Sequence, residues 1–220
     1  MRSYKQHCAL ARALDAIGDR WTLLIVRELL VQESCRYTDL RAGLPGIATN
    51  LLADRLRSME QAGIVYREEA PPPIATTLFH LTPRGEELEP VLEQLGRWGA
   101  PLLSKPARGD AFRCRWLTLP LKQHLRDRRP DLLPVAIELR TGDEPLTIET
   151  FEGGVRARAR SGGKPDAVLT GTPQLVMGVL LGKLALPDAR ARGLRYEGDV
   201  AILDRIAVAA PATDGEPAAQ

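Results

Sequence analysis

Residues 37–63 read Tyr37-Thr-Asp-Leu40-Arg-Ala-Gly43-Leu44-Pro-Gly46-Ile-Ala-Thr49-Asn-Leu-Leu52-Ala-Asp-Arg-Leu56-Arg-Ser-Met59-Glu-Gln-Ala62-Gly63. Leu44-Pro45-Gly46 is a turn, because proline presets one backbone angle and glycine tolerates the next. Before it, 37–42 makes a short helix that Gly43 ends. After it, Leu52, Leu56, Met59 and Ala62 recur at three- and four-residue steps, so 49–62 is a helix with one apolar face. Thr49 is its expected N-cap and Gly63 its C-cap.

Upstream, 8–17 carries Leu10, Leu14 and Ile17 at helical spacing, and Gly18 stops it. Asp19 is the expected cap of a further helix bearing Trp21, Leu24, Ile25, Glu28 and Leu29. Downstream the period changes to two. Residues 64–67 and 77–81 read as strands around a loop at 68–76 that contains Pro71-Pro72-Pro73, since prolines cannot sit inside a ladder. A last helix opens at Thr82-Pro83 and runs through Leu88, Val91, Leu92, Leu95 and Trp98 toward Leu103.

Residues 105–111 are polar and contain Pro and Gly, as a linker does. The expected division is therefore 1–104, a linker at 105–111, a second domain at 112–208 and a disordered tail at 209–220. In the second domain a helix from Trp116 to near Arg129-Pro130 precedes strand-like runs at 135–140, 146–151, 155–160 and 167–170. Helices follow at 174–181, 187–192 and 198–206. The fold class is α+β, the second domain being a small antiparallel sheet with helices. Arg156, Arg158 and Arg160 share one strand face and read as the solvated side of an edge strand.

The 220 residues, 44% hydrophobic and 26% charged, fit one large or two small globular domains. Three cysteines (Cys8, Cys35, Cys114) argue against a disulfide framework and for a reducing, cytoplasmic setting. Three scattered histidines and no CxxC or HExxH leave no zinc site and no implied cofactor. No nucleotide-binding loop, GxSxG or paired carboxylates support an enzyme. No apolar run reaches the ~20 residues of a membrane span, and 1–18 lacks the apolar core of a signal peptide.

Two helices joined by a turn, followed by a hairpin, have the order of a winged helix-turn-helix. The helix at 49–62 would enter a DNA groove. Thr49 and the helix start suit a phosphate. Asn50 can bond an adenine edge, Arg57 a guanine or a phosphate, and Ala53 leaves room for a thymine methyl. Asp54 and Arg55 complete the outward set on this helix. Arg36 and Thr38 at the start of the preceding helix, and Arg67 in the wing, are further candidates. The alternative is a plain three-helix domain with a solvated polar face. Residues 1–104 hold 12 basic and 13 acidic side chains, so contact with DNA must come from local placement of charge.

These blocks carry a resemblance. The run from Cys8 through Leu14-Asp-Ala-Ile-Gly-Asp-Arg-Trp21-Thr-Leu-Leu-Ile-Val-Arg27-Glu-Leu-Leu, then Tyr37-Thr-Asp-Leu-Arg, Leu44-Pro-Gly-Ile47-Ala-Thr-Asn-Leu51-Leu-Ala-Asp-Arg55-Leu, Gly63-Ile-Val and Phe79-His-Leu-Thr82-Pro-Arg-Gly85, resembles the HxlR-type transcription regulators over about 7–103. The resemblance implies a dimer that binds a palindromic operator in double-stranded DNA as repressor or activator, its first and last helices forming the dimer interface. The wing departs from that pattern. Family wings usually carry basic residues near the proline turn, whereas here Glu68 and Glu69 precede it and Arg67 is the nearby cation. Several relatives use a cysteine at the position of Cys8 as a thiol sensor, which makes Cys8 a redox candidate. The plain reading of Cys8 is a small packed residue.

A second resemblance covers about 112–207 and rests on Asp166-Ala-Val-Leu169-Thr-Gly-Thr-Pro, Gly182-Lys183-Leu and Gly193-Leu-Arg-Tyr-Glu-Gly198-Asp199. These are similar to the sterol-carrier-protein type of lipid-binding domain. It implies a tunnel for an apolar small molecule and no catalytic residue. Phe151, Leu175, Val176, Val179 and Leu180 are the candidate liners by apolar character, although a helix apolar nearly all round is more often core. The combined expectation is a one-component regulator whose DNA binding an apolar ligand modulates. The alternative from a different class is a hydrophobic-ligand carrier whose winged helix serves dimerisation or docking.

Overall fold

The structure, a computed structural model, describes residues 3–71, 75–104, 109–158 and 163–208. The prolines at 72 and 73, Arg160, part of the 105–111 segment and the tail at 209–220 lie outside them. The chain divides into two compact units, Met1–Trp116 and Leu117–Gln220, so the division falls a few residues past the 105–111 segment.

The first unit begins with α1 (Ala9–Ile17), α2 (Thr22–Gln32), β1 (Cys35–Arg36), α3 (Tyr37–Gly43) and α4 (Thr49–Gln61). It continues with β2 (Val65–Ala70), β3 (Thr76–Leu81), α5 (Pro83–Glu86) and α6 (Glu89–Gly99), then a 3-10 turn Ala100–Ser104. Strands β1, β3 and β2 form one antiparallel sheet with β3 in the middle. This is a winged helix. Its core is Ile25, Val26 and Leu29 of α2, Leu40 of α3, Leu52, Leu56 and Met59 of α4, and Phe79 and Leu81 of the wing. Burying one such side chain is worth about 1.5–3 kcal/mol. The three from α4 therefore fix which of its sides meets solvent.

Local chemistry sets the joints. Pro45 and Gly46 (φ +88) take the two central places of a type II turn closed by Ile47 N–H donating to the Leu44 carbonyl at 3.1 Å. Gly63 (φ +67) ends α4 in a left-handed cap, with Ile64 N–H donating to the Met59 carbonyl at 2.9 Å. Four expectations need correction. The loop expected at 68–76 is shorter, because Glu68, Glu69 and Ala70 continue β2 and pair with Leu78, Thr77 and Thr76 of β3. Thr49 is the first residue of α4 and Ala48 its N-cap. Asp19 does not cap α2, whose N-cap is Trp21. The single helix expected after Thr82 is two, α5 and α6, because Pro90 lacks the N–H that would carry the ladder across the break.

The second unit comprises α7 (Thr118–His124), β4 (Leu125–Asp127), β5 (Ala136–Arg140), β6 (Leu146–Phe151), β7 (Gly154–Arg158), β8 (Ala167–Thr170), α8 (Pro173–Leu180), α9 (Leu186–Ala191), β9 (Arg195–Glu197), α10 (Val200–Arg205) and β10 (Ile206–Val208). The main sheet runs β7-β6-β5-β8-β9 and is mixed. Strands β5 and β8 pair in parallel, where an all-antiparallel sheet was expected. The helix expected to reach Arg129 stops at His124. Leu125 and Asp127 turn inward with Arg126 outward, and β4 pairs with β10 from the far end of the unit. Asp127 of β4 accepts two 2.8 Å hydrogen bonds from Arg205 at the end of α10, just before β10, and Arg205 also donates to the Leu133 carbonyl at 2.7 Å.

Candidate functional site

With Leu52, Leu56 and Met59 turned into the core, α4 presents Thr49, Asn50, Asp54 and Arg57 to solvent, with Ala53 half-buried among them. These five fall at the steps that make one stripe along a helix. The angle at which α3 delivers α4 is held by Tyr37, whose hydroxyl donates to the Thr49 carbonyl at 2.6 Å. No side chain caps the start of α4, so its first N–H groups are not taken by a cap.

The nine candidate DNA-binding residues are not equivalent. Thr49, Asn50, Ala53, Asp54 and Arg57 share the stripe. Arg57 forms an ion pair with Asp54 one turn earlier, so the stripe's cation is partly neutralised by its own neighbour. Arg55 is placed differently from the expectation. It is half-buried and paired with Asp19, because position 55 lies on the flank of α4 that meets the turn between α1 and α2. Arg36 and Thr38 are exposed at the start of α3, where the Arg36 backbone N–H donates to Asp39 at 3.0 Å. Arg67 is exposed on β2 and reaches back to Glu60 of α4 at 3.2 Å. Glu68 and Glu69 are exposed along the same strand, which keeps the described part of the wing acidic.

Sequence reasoning named Glu28 among the regularly spaced residues of this helix and assigned it no partner. It is fully buried. Its carboxylate accepts from Arg27 Nη2 at 2.7 Å, Arg115 Nε at 3.0 Å and Trp116 Nε1 at 2.7 Å. The signal was a charged residue at a core position, which has to be paired. Cys35 lies beside it, its Sγ 3.8 Å from the Glu28 carbonyl, and burial pushes the thiol up to about 12. Cys8 is exposed, whereas Cys35 and Cys114 are buried.

In the second unit a cavity of about 460 Å³ opens beside α8, α10 and β10. Of the expected liners, Val179 and Leu180 line it. Val176 is buried, Leu175 lies outside the lining, and Phe151 is exposed with the Arg156 guanidinium 4.3 Å from its ring centre. The walls include Leu184 from the connection after α8, and Leu186, Val200, Leu203 and Ile206, which α9, α10 and β10 supply from later in the chain. Arg128 and Asp204 stand at the same cavity. Among the described residues no cluster of His, Cys, Asp and Glu is placed to hold a metal ion, and no helix is long and apolar enough to cross a membrane.

A profile of the HxlR-like helix-turn-helix family matches residues 16–106. The HTH-type transcriptional regulator YvaP of Bacillus subtilis is 33% identical over 87 residues, 40% of this chain and 80% of YvaP. The chain belongs to the HxlR-like helix-turn-helix family. A second HxlR-region relative, the HTH-type transcriptional regulator sll1512 of Synechocystis sp. PCC 6803, is 32% identical over 111 residues, 50% of this chain and 78% of sll1512. Among solved structures, one described as a MarR-family transcriptional regulator from Enterococcus faecalis V583 is 32% identical, with a TM-score of 0.39, and covers 49% of this chain and 99% of that one. The HxlR-like match ends at residue 106, so the second unit lies beyond it.

Proposed function

We propose that this HxlR-like protein is a dimeric, non-enzymatic transcription regulator of the cytoplasm that reads a palindromic operator with α4. The observation that carries the reading is the solvent-facing stripe of Thr49, Asn50, Ala53, Asp54 and Arg57 on the second helix of the helix-turn-helix. Asn50 can both donate to and accept from an adenine edge, Arg57 can donate to a guanine or a phosphate, and Thr49 with the helix start suits a phosphate. A dimer is supported by apolar side chains left in solvent on the first and last helices. Leu10 of α1 is 68% exposed and Trp98 of α6 is 75% exposed. Surfaces of this kind are characteristic of protein–protein contacts.

The second unit is proposed as the effector domain, of sterol-carrier-protein type. Support comes from the α8, α10 and β10 cavity and from three joints in the order that resemblance requires. Thr172 caps α8, Gly182-Lys183 follows its end, and Asp199 after Gly198 caps α10. An apolar small molecule there would act by binding the DNA-competent and incompetent states with different affinity. A second reading follows from Cys8, the exposed one of the three thiols, as an oxidant sensor.

The test is a gel shift with the intact protein and DNA from upstream of its own coding sequence. A shifted band competed by that DNA and not by unrelated DNA supports the regulator. No shift would leave the hydrophobic-ligand carrier as the reading to pursue.

A further inference from the structure

The residues that complete the helix-turn-helix core include a segment from outside the family region. Arg115 and Trp116 lie past residue 106, yet both end on Glu28 of α2. The contact is layered. Arg27 donates to Glu28 through Nε at 3.2 Å and Nη2 at 2.7 Å, and its guanidinium lies 4.2 Å from the centre of the Trp116 ring. Gln32 Nε2 adds a bond to Glu28 at 3.3 Å. Arg113 reaches the other side of the joint, donating to the Ala42 carbonyl at the end of α3 at 3.3 Å.

Gly43, the last residue of α3, closes the arrangement. A Cβ there would run into Glu28 Oε2 and Arg115 Nη2, so the glycine lets α3 end directly against the ion cluster. From that end the connection to the reading helix is short. The turn at 44–47 follows, and Tyr37 at the other end of α3 bonds the Thr49 carbonyl. A carboxylate with no exposed surface cannot give up Arg115 and Trp116 without being left with Arg27 and Gln32 alone.

We infer that residues 113–116 are a strap that positions α3, with Arg115 and Trp116 as positioning residues acting through Glu28, and that the strap puts the helix-turn-helix under the control of whatever moves Leu117. Leu117 is the next residue in the chain and the first of the second unit. A perturbation that loosens the start of the second unit therefore frays the strap, frees Gly43 and Ala42, and changes how α3 holds α4. The claim about α3 stands on the Glu28 cluster, and only its consequence for operator affinity rests on the regulator reading.

The experiment is hydrogen exchange of the α3 amides in the full chain, as a double-mutant cycle. Leu121→Ala loosens the start of the second unit by removing a fully buried side chain of α7, the helix that begins at the residue after Leu117. If that variant does not fold, Leu121→Val makes the same perturbation smaller. Trp116→Phe keeps a ring beneath Arg27 and removes the indole N–H. The strap predicts that the α7 variant speeds α3 exchange about tenfold, within the usual range of coupling between sites. It also predicts that the same substitution adds little once Trp116→Phe is present. Unchanged α3 exchange in the α7 variant, or additive effects in the double variant, would overturn it. DNA affinity measured on the same four proteins separates the two claims. Non-additive exchange across the four proteins, together with no DNA binding by the wild-type chain, upholds the strap and removes the regulator reading.

Discussion

Arg55 is ion-paired with Asp19, and the contact turns its guanidinium away from the outer stripe of α4 toward the turn that precedes α2. Two arginines two positions apart on one helix thus have different work. Arg55→Ala is expected to cost at most about 1 kcal/mol of stability, the range of a partly exposed pair, and to leave base preference unchanged. Asn50→Ala and Arg57→Ala are expected to weaken DNA binding by about 1–3 kcal/mol each and to relax discrimination at single base pairs. Fluorescence anisotropy on operator variants with one base pair changed checks this. Lost discrimination in the Arg55 variant with none in the Arg57 variant would reverse the assignment.

Asp54 holds Arg57 by an ion pair on the exposed face. A carboxylate there also repels phosphate. Asp54→Asn is expected to tighten binding to DNA in general and to steepen its salt dependence by up to about one unit of log–log slope, as one more cation becomes available to the backbone. A salt titration on operator and unrelated DNA measures it. A flatter slope would mean that Asp54 orients Arg57 productively.

The path from residues to structure was short where contacts are local. The period of Leu52, Leu56 and Met59, Pro45-Gly46 and the cap at Gly63 are all set within a few residues, and the helix-turn-helix followed from them. Strands of two or three residues were not legible. β1, β4, β9 and β10 take their partners from distant segments and carry no period of their own. The cavity suffered likewise. Val179 and Leu180 were legible from an apolar helix, but Val200, Leu203 and Ile206 enter it from α10 and β10. Arg115 and Trp116 were hardest, since Glu28 lies 87 and 88 positions away.

Asp127 and Arg205 make a buried two-bond pair that joins β4 to α10. The Arg205 hydrogen bonds hold the Asp127 carboxyl below its ordinary value. A carboxylate depressed on folding adds stability above the unfolded value, near pH 4, and loses it as pH falls through the lower folded value. The second unit is expected to lose stability below about pH 4. Asp127→Asn should remove that acid dependence and cost about 3–5 kcal/mol at neutral pH, because Arg205 is left buried without its counter-charge. Urea unfolding followed between pH 3 and 7 decides it, and an unchanged acid limb in the variant would contradict the assignment.

Cys8 is exposed, while Cys35 and Cys114 are buried and the Cys35 thiol is pushed up to about 12. A thiol held protonated does not react. The native protein is therefore expected to titrate rapidly at Cys8 with a disulfide reagent, and the other two only on unfolding. Cys8→Ser should remove the fast phase and leave DNA binding intact. Fast labelling of Cys35 in the native protein would show that the α2–β1 joint opens readily.

The most direct measurement is a footprint of the intact protein on DNA from upstream of its own coding sequence, repeated at about 50 and 200 mM salt. A reading helix carried by each half of a dimer predicts a short protected palindrome whose half-sites are about one helical turn apart. It also predicts that occupancy falls steeply as salt rises. No protection at either salt would contradict the assignment of α4 as a DNA reader.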